Sequence, residues 1–131
     1  MVFCSIIDDI VAKYKIDRDR VYLTGHSMGG RGTWYFAFRD PDQFAAIAPM
    51  SALSPVAAWS QRLQHLPIWV FHGAKDQLAP LAESMELIDA LNRQHAPIKT
   101  SILPEADHAK ILETYWNAQL FSWFLEHHRK H

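Results

Sequence analysis

Short, mostly apolar runs alternate along the chain with segments of helical periodicity, and this alternation constrains the fold most strongly. The runs predict four strands, at 21–24, 44–50, 68–71 and 98–103. The spacing of apolar residues predicts helices at 2–15, 28–38 and 81–94, a short one within 55–66, and a long C-terminal helix from 109 onward. Strands and helices in this order predict a parallel sheet of about four strands with helices on both faces, a three-layer α/β/α fold.

Length and charge limit the classes of protein to consider. The 131 residues allow a single domain, 1–131, and leave little room for a second. The 13 basic and 14 acidic residues give a net charge of −1 without any basic run, so we expect neither nucleic acid nor an anionic membrane as a partner. The single cysteine excludes an intramolecular disulfide. No stretch is long enough to span a membrane and no signal peptide is visible, so we expect a cytoplasmic chain.

The pentapeptide Gly25-His26-Ser27-Met28-Gly29 has the pattern Gly-x-Ser-x-Gly and lies between a predicted strand and a predicted helix. On so sharp a turn, we expect glycine at 25 and 29 to prevent clashes between strand and helix. The Ser27 hydroxyl would then stand clear of the sheet edge as a nucleophile, with the Met28 amide facing a developing oxyanion. The alternative is a glycine-rich turn without catalysis, serving as an anion site at the helix start.

A nucleophilic serine needs a base, and the base needs an orienting acid. Because ligand sites in parallel sheets lie outside the carboxyl ends of the strands, the partners should follow later strands. Two loops qualify, at 72–76 and 104–108. They supply Asp76 as the acid and His108 as the base, in the chain order serine, acid, histidine.

Each of these partners has a plainer alternative. His108 is one of eight histidines in the chain and could be solvated or structural. Asp76 could be an ordinary turn residue, in which case Glu83 and Glu105 are the substitute acids. Asp107 could cap the C-terminal helix, and as the direct neighbour of His108 it is badly placed to hold that ring.

The remaining polar and aromatic candidates are weaker. His26 and Trp59 could line a substrate pocket, and packing roles are the alternative for both. His127, His128 and His131 lie in a basic tail, where the pair 127/131 could capture a metal ion. Cationic side chains also suit a solvated helix C-terminus, which is the interpretation we favour. We therefore expect no metal and no organic cofactor.

Four segments carry a family resemblance: 19–30, 33–34, 44–49 and 71–80. They resemble the α/β-hydrolase superfamily, and within it the phospholipase/carboxylesterase and predicted-peptidase branch, near dienelactone-hydrolase-like and feruloyl-esterase-like proteins. The resemblance covers nearly the whole chain and implies the same triad of Ser27, Asp76 and His108. It leads us to expect a serine carboxylesterase that hydrolyses short-chain esters through an acyl-enzyme. A peptidase or amidase with the same triad, or a non-catalytic module that binds a partner, is the alternative.

The resemblance also reveals a difference from the family pattern. A full α/β-hydrolase has about eight strands, whereas this sequence matches the last four. The loop that normally supplies a second oxyanion donor is not recognisable, and losing one donor typically costs about 10²–10³-fold in rate. The strand Val21–Thr24 would become an apolar edge, so we expect a homo-oligomer, a dimer or larger, that covers it.

Overall fold

The computed structural model describes residues 2–130, with side chains from residue 5 onward. The α-helices are α1 (Val2–Lys13), α2 (Met28–Arg39), α3 (Leu81–Arg93) and α4 (Ala118–Leu125). The strands are β1 (Tyr22–His26), β2 (Ala46–Met50), β3 (Ile68–Gly73) and β4 (Ile98–Leu103). Shorter 3₁₀ segments occur at Arg18–Arg20, Pro41–Gln43, Ala57–Arg62 and Lys110–Trp116. None of the helices in this described part is long and apolar enough to cross a membrane.

The four strands form one parallel sheet in the order β1-β2-β3-β4. Tyr22 lies opposite Ala46 at the start of the β1–β2 pair, and His26 opposite Met50 at its end. The predicted α/β fold with about four parallel strands is therefore confirmed. Because all strands run the same way, the loops after β1, β3 and β4 emerge at one edge of the sheet.

Helices cover both faces of the sheet and bury its two central strands. On one face, Trp34 of α2 and Leu87 and Leu91 of α3 pack around Ile47. On the other face, the cluster contains Ala46, Ala48, Met50, Trp69, Phe71, Ile111, Leu120 and Phe124. Neighbouring residues of β2 thus point to opposite faces, as the period of two in a strand requires. Every residue of β2 and β3 is buried, which explains their continuous apolar runs.

The predicted long C-terminal helix is wrong, because the segment breaks at Asn117. A 3₁₀ segment, Lys110–Trp116, comes first, and α4 starts afresh at Ala118. Asn117 is extended, with φ −90° and ψ 117°, and its side chain accepts a hydrogen bond from the amide of Gln119. This is the geometry of an N-cap, so Asn117 begins a helix instead of continuing one. The break leaves Trp116 88% exposed.

Among the described residues, the outer edge of β1 has no neighbouring strand, and one side of α1 exposes apolar side chains. Within residues 2–130, β1 pairs with β2 and carries no strand along its outer edge. On α1, Ile6, Ile10 and Tyr14 recur every four residues and are all exposed. Both features are of the kind that a further protein surface would cover.

Candidate active site

Ser27 sits in strained backbone geometry between β1 and α2. Its φ is 63° and its ψ is −114°, a conformation that costs a side-chain-bearing residue about 1–3 kcal/mol. Neighbouring backbone overcomes this cost, because the Ser27 amide donates to the Met50 carbonyl at 3.0 Å and the Ser27 carbonyl accepts from Leu53 at 3.2 Å. The turn is therefore fixed to β2 and to the loop that follows it.

The glycines around Ser27 differ in how much they are needed. A Cβ at Gly25 would lie 2.3 Å from the carbonyl oxygen of Gly29, so the prediction for Gly25 is confirmed. The prediction for Gly29 is wrong, because a Cβ there would meet nothing within 4 Å. The second position that excludes a side chain is Gly30, where a Cβ would lie 2.5 Å from the Met50 carbonyl oxygen. Close packing of α2 against β2 sets this requirement.

Asp76 lies in the loop after β3, and its side chain is fully buried. Its Oδ1 accepts hydrogen bonds from the backbone amides of Leu78, at 2.9 Å, and Ala79, at 2.8 Å. Burial by itself would raise the pKa of this carboxyl group. The Ala79 amide, the His108 side chain and the Leu78 amide together outweigh burial, so the pKa of Asp76 is lowered. The group is therefore ionised at neutral pH.

His108 connects Asp76 to Ser27. Its Nδ1 lies 2.7 Å from Asp76 Oδ2, and its Nε2 lies 2.8 Å from Ser27 Oγ. An ionised carboxylate can only accept, so Nδ1 carries the ring proton and Nε2 can accept the hydroxyl hydrogen of Ser27. The structure thus brings the three predicted residues into one continuous hydrogen-bonded chain. The His108 side chain is 15% exposed, so the ring that connects Asp76 and Ser27 is partly open to solvent.

The loops that carry Asp76 and His108 are joined through their backbones. The Ala74 amide donates to the Leu103 carbonyl at 2.9 Å, and the Lys75 amide donates to the Ala106 carbonyl at 3.0 Å. Where they meet, a Cβ on Gly73 would lie 2.2 Å from the Ala106 carbonyl oxygen. The backbone pairing of the β3 and β4 segments therefore continues beyond the sheet and sets the spacing between Asp76 and His108.

The fold and these residues agree with the outcome of a family comparison. The sequence model of the Dienelactone hydrolase family matches residues 4–114, a segment that includes Ser27, Asp76 and His108. The chain belongs to the dienelactone hydrolase family. The resemblance described above is thereby confirmed at the level of the family.

Individual relatives of this dienelactone hydrolase family member are much longer. The chain is 38% identical over 74 residues to the bifunctional acetylxylan esterase/xylanase XynS20E of Neocallimastix patriciarum. These 74 residues are 56% of this chain and 11% of that protein. A thermostable esterase superposes with a TM-score of 0.91 at 29% identity, covering 98% of this chain and 36% of the other. A ferulic acid esterase, at 21% identity and a TM-score of 0.73 over 94% of this chain and 57% of its own, shares the fold. The chain spans less than two thirds of each.

The other predicted residues lie in different surroundings. Met28 is the first residue of α2, so its amide has no acceptor within the helix, and its side chain is exposed. The half-buried His26 contacts His108, with its Nε2 2.6 Å from the His108 carbonyl oxygen. Trp59 is buried in the core, where its ring packs against Tyr35 and Phe38. These contacts indicate a packing role for Trp59.

The alternative acids have other partners. Glu105 pairs with Lys75 at the surface. Asp107 Oδ1 accepts from the Lys110 amide at 2.8 Å, which caps the first turn of the 3₁₀ segment. Glu83 lies in the first turn of α3.

Metal binding has little support in the described part of the chain. The side chains of residues 5–130 include no group of three or more His, Cys, Asp or Glu placed to hold a metal ion. Of the predicted pair, His131 lies outside the described residues.

Sequence reasoning did not single out His72, which forms a hydrogen bond to the loop that carries Asp76. This histidine of β3 is fully buried, and its Nε2 lies 2.8 Å from the Ala79 carbonyl oxygen while its Nδ1 lies 3.0 Å from Ser84 Oγ. A histidine inside an otherwise apolar strand is the signal that could have found it. A buried polar ring must have hydrogen-bond partners, and the adjacent loop is the nearest source of them.

Proposed function

We propose that this dienelactone hydrolase family member hydrolyses carboxylic esters through an acyl-enzyme formed on Ser27. The observation that carries the proposal is the continuous chain of hydrogen bonds from Ser27 Oγ through His108 to Asp76, with lengths of 2.8 and 2.7 Å. Membership of the family and similarity to proteins named as esterases support an ester as the substrate.

In the first half of the reaction, Ser27 Oγ attacks the carbonyl carbon while His108 Nε2 takes the hydroxyl proton. The tetrahedral intermediate places its negative oxygen near the start of α2, where the Met28 amide donates to it. The bond between the acyl carbon and the alcohol oxygen then breaks. His108 returns the proton to the departing alcohol, which leaves the acyl group on Ser27.

In the second half, water takes the place of the alcohol. His108 accepts a proton from the water as its oxygen attacks the acyl carbon, and Ser27 leaves with the proton restored. Asp76 stays ionised throughout. It holds the ring of His108 in the Nδ1-protonated tautomer and stabilises the imidazolium that forms in each half.

We propose a small acyl group for the substrate. The relative named as an acetylxylan esterase acts, by that name, on acetyl esters, and it is 38% identical over the matched 74 residues. In this chain, the connection between β2 and β3 contains a single 3₁₀ segment, Ala57–Arg62, and packs Trp59 into the core. That connection provides no extended lid to enclose a long acyl chain.

The decisive test uses a fluorophosphonate probe and p-nitrophenyl acetate on the 131-residue chain. We expect the probe to label the protein and the ester to be hydrolysed. Ser27→Ala should abolish both, because it removes the attacking oxygen. Ser122→Ala, which alters an exposed serine of α4, is the matched control and should behave like the wild type. A wild-type chain that neither labels nor hydrolyses faster than Ser27→Ala would favour a non-catalytic binding module.

Two further substrates test the finer parts of the proposal. We expect p-nitrophenyl acetate to react with a higher kcat/KM than p-nitrophenyl decanoate, and the corresponding acetanilide to react far more slowly. A preference for the decanoate would contradict the small acyl group. A preference for the anilide would favour the amidase alternative.

We also propose that a second copy of this chain covers the outer edge of β1. The unpaired edge and the exposed Ile6, Ile10 and Tyr14 of α1 support this proposal. Light scattering at micromolar concentration should give at least a dimeric mass, and Ile10→Lys should reduce it. Monomeric wild-type protein would exclude such an assembly.

A further inference from the structure

His108 must cross the sheet to reach Ser27. Ser27 follows β1 and His108 follows β4, which are the two ends of the sheet order. Three spacings of about 4.8 Å separate these strands, so the loop after β4 has to cover about 14 Å. The last point at which the loop is joined to the neighbouring segment is Ala106, whose carbonyl accepts from the Lys75 amide in the loop after β3. The remaining distance is covered by Asp107 and His108 alone.

The main chain of His108 is held in place by the side chain of His26. His26 Nε2 lies 2.6 Å from the carbonyl oxygen of His108, and the two ring centroids are 4.7 Å apart at an interplanar angle of 45°. A carbonyl oxygen can only accept, so His26 Nε2 is protonated and donates. His26 is the last residue of β1 and the direct neighbour of Ser27, so the strand sets the position of its backbone relative to Ser27.

We propose that His26 is a positioning residue that fixes His108 for proton transfer, an inference that rests on the proposed function. His108 is attached to two consecutive residues of the chain: its ring to Ser27 and its carbonyl to His26. The second attachment restricts movement of the His108 backbone and thereby keeps Nε2 in line with the hydroxyl. Misplacing a catalytic group by about 1 Å can cost about 10²-fold in rate. His26 therefore acts on kcat through His108, without touching the substrate.

Two substitutions separate hydrogen bonding from packing. His26→Phe keeps an aromatic ring and removes the donor, whereas His26→Gln removes the ring and keeps an amide donor of similar reach. If His26 only packs against His108, Phe should be tolerated and Gln should not. If His26 lined the substrate pocket, both changes would act mainly on KM. A positioning role predicts the reverse of packing, with the effect on kcat.

The experiment measures kcat and KM of the full 131-residue chain with p-nitrophenyl acetate, together with the thermal unfolding of each variant. For His26→Phe we expect kcat to fall about 10–100-fold with KM nearly unchanged. For His26→Gln we expect kcat within about threefold of the wild type, because the donor is retained. Wild-type kcat in His26→Phe, an equal loss in both variants, or an effect confined to KM would each overturn the proposal.

A second measurement keeps this inference separate from the proposed function. The proton on His108 Nδ1, held against Asp76, should give a far-downfield resonance in the proton NMR spectrum, and Asp76→Asn identifies it by its loss. We expect the resonance to persist in His26→Gln and to broaden or disappear in His26→Phe. A wild type inactive towards esters would overturn the proposed function, while the resonance would still report whether His26 positions the ring. An unchanged resonance in His26→Phe would overturn the positioning role.

Discussion

Two histidines face the same oxygen of Asp76, and their surroundings give them different properties. His108 Nδ1 lies 2.7 Å from Asp76 Oδ2, whereas His72 Nε2 lies 3.6 Å from it, beyond hydrogen-bond distance. His72 is fully buried, and its two nitrogens face the Ala79 carbonyl and the Ser84 hydroxyl. His108 is partly exposed, and its second nitrogen faces Ser27.

The difference between them lies in the tautomer that their partners impose. The Ala79 carbonyl can only accept, so His72 is protonated on Nε2, and its Nδ1 accepts from the Ser84 hydroxyl. Asp76 instead requires the proton of His108 on Nδ1 and leaves Nε2 free to take another. One carboxylate thus lies between a ring whose hydrogen bonds are complete and a ring that can exchange a proton. Proximity to Asp76 is therefore not enough to make a histidine a candidate base. The ring also needs an accessible, unprotonated nitrogen that faces a hydroxyl, as His108 has and His72 does not.

The largest expected effect follows from replacing the partly exposed ring of His108. His108→Gln should lower kcat/KM for p-nitrophenyl acetate by at least about 10⁴-fold, because in the proposed mechanism His108 takes the proton of Ser27. The free energy of unfolding should fall by about 1–2 kcal/mol, because the ring is mostly buried and its hydrogen bond to the buried carboxylate of Asp76 is lost. Ester kinetics and urea unfolding measure the two quantities. Activity within tenfold of the wild type would contradict the assignment of the base.

Replacing the fully buried ring of His72 should act mainly on stability. His72→Leu leaves the Ala79 carbonyl and the Ser84 hydroxyl without their partner, and we expect the free energy of unfolding to fall by about 2–4 kcal/mol. The double variant His72→Leu/Ser84→Ala should recover about 1 kcal/mol, because it removes one of the unpaired groups. Urea unfolding measures both. If His72→Leu lost activity per folded molecule as severely as His108→Gln, the two rings would not differ as described.

The carboxylate between the rings should contribute to stability in a pH-dependent way. The pKa of Asp76 is lowered in the folded protein, from an unfolded value of about 3.9. Its ionised form therefore stabilises the fold above that value, and the contribution is lost as the pH falls through the lower folded value. Urea unfolding between pH 2 and pH 6 should show a weaker acid dependence for Asp76→Asn than for the wild type. Parallel curves for the two proteins would contradict the lowered pKa.

The smallest effects should come from the carboxylates that flank His108 without touching its ring. Glu105→Gln should change the free energy of unfolding by about 0–1 kcal/mol, because its pair with Lys75 is exposed. Asp107→Asn should lower the free energy of unfolding by at most about 1 kcal/mol, because asparagine can still accept from the Lys110 amide. Both variants should retain nearly full esterase activity. If Asp107→Asn lowered kcat/KM at least as much as Asp76→Asn does, the assignment of Asp76 as the acid that orients His108 would be wrong.

The parts of the fold and site that could be predicted depend on local patterns and on one topological rule. Alternating strands and helices indicated a parallel sheet, and a parallel sheet gathers its strand ends at one edge. That rule brought Ser27, Asp76 and His108 together although they lie far apart in sequence.

The parts that could not be predicted depend on contacts between distant segments. Gly30 excludes a side chain because of the Met50 carbonyl, which only the packing of α2 against β2 reveals. The hydrogen bond from His26 to His108 joins residues 82 positions apart. Asn117 was unpredictable for another reason, since its flanking apolar residues keep helical spacing across the break.

The contact between Gly73 and Ala106 restricts how this scaffold can be modified. Any side chain at position 73 would collide with the Ala106 carbonyl, and backbone hydrogen bonds join the two loops on either side of that contact. A loop from another family member, introduced at 73–79 or at 104–108 alone, would have to fit a surface shaped for a different neighbour. Chimeras that exchange both loops together should preserve that fit, so we expect Asp76 and His108 to be transferable only as a pair.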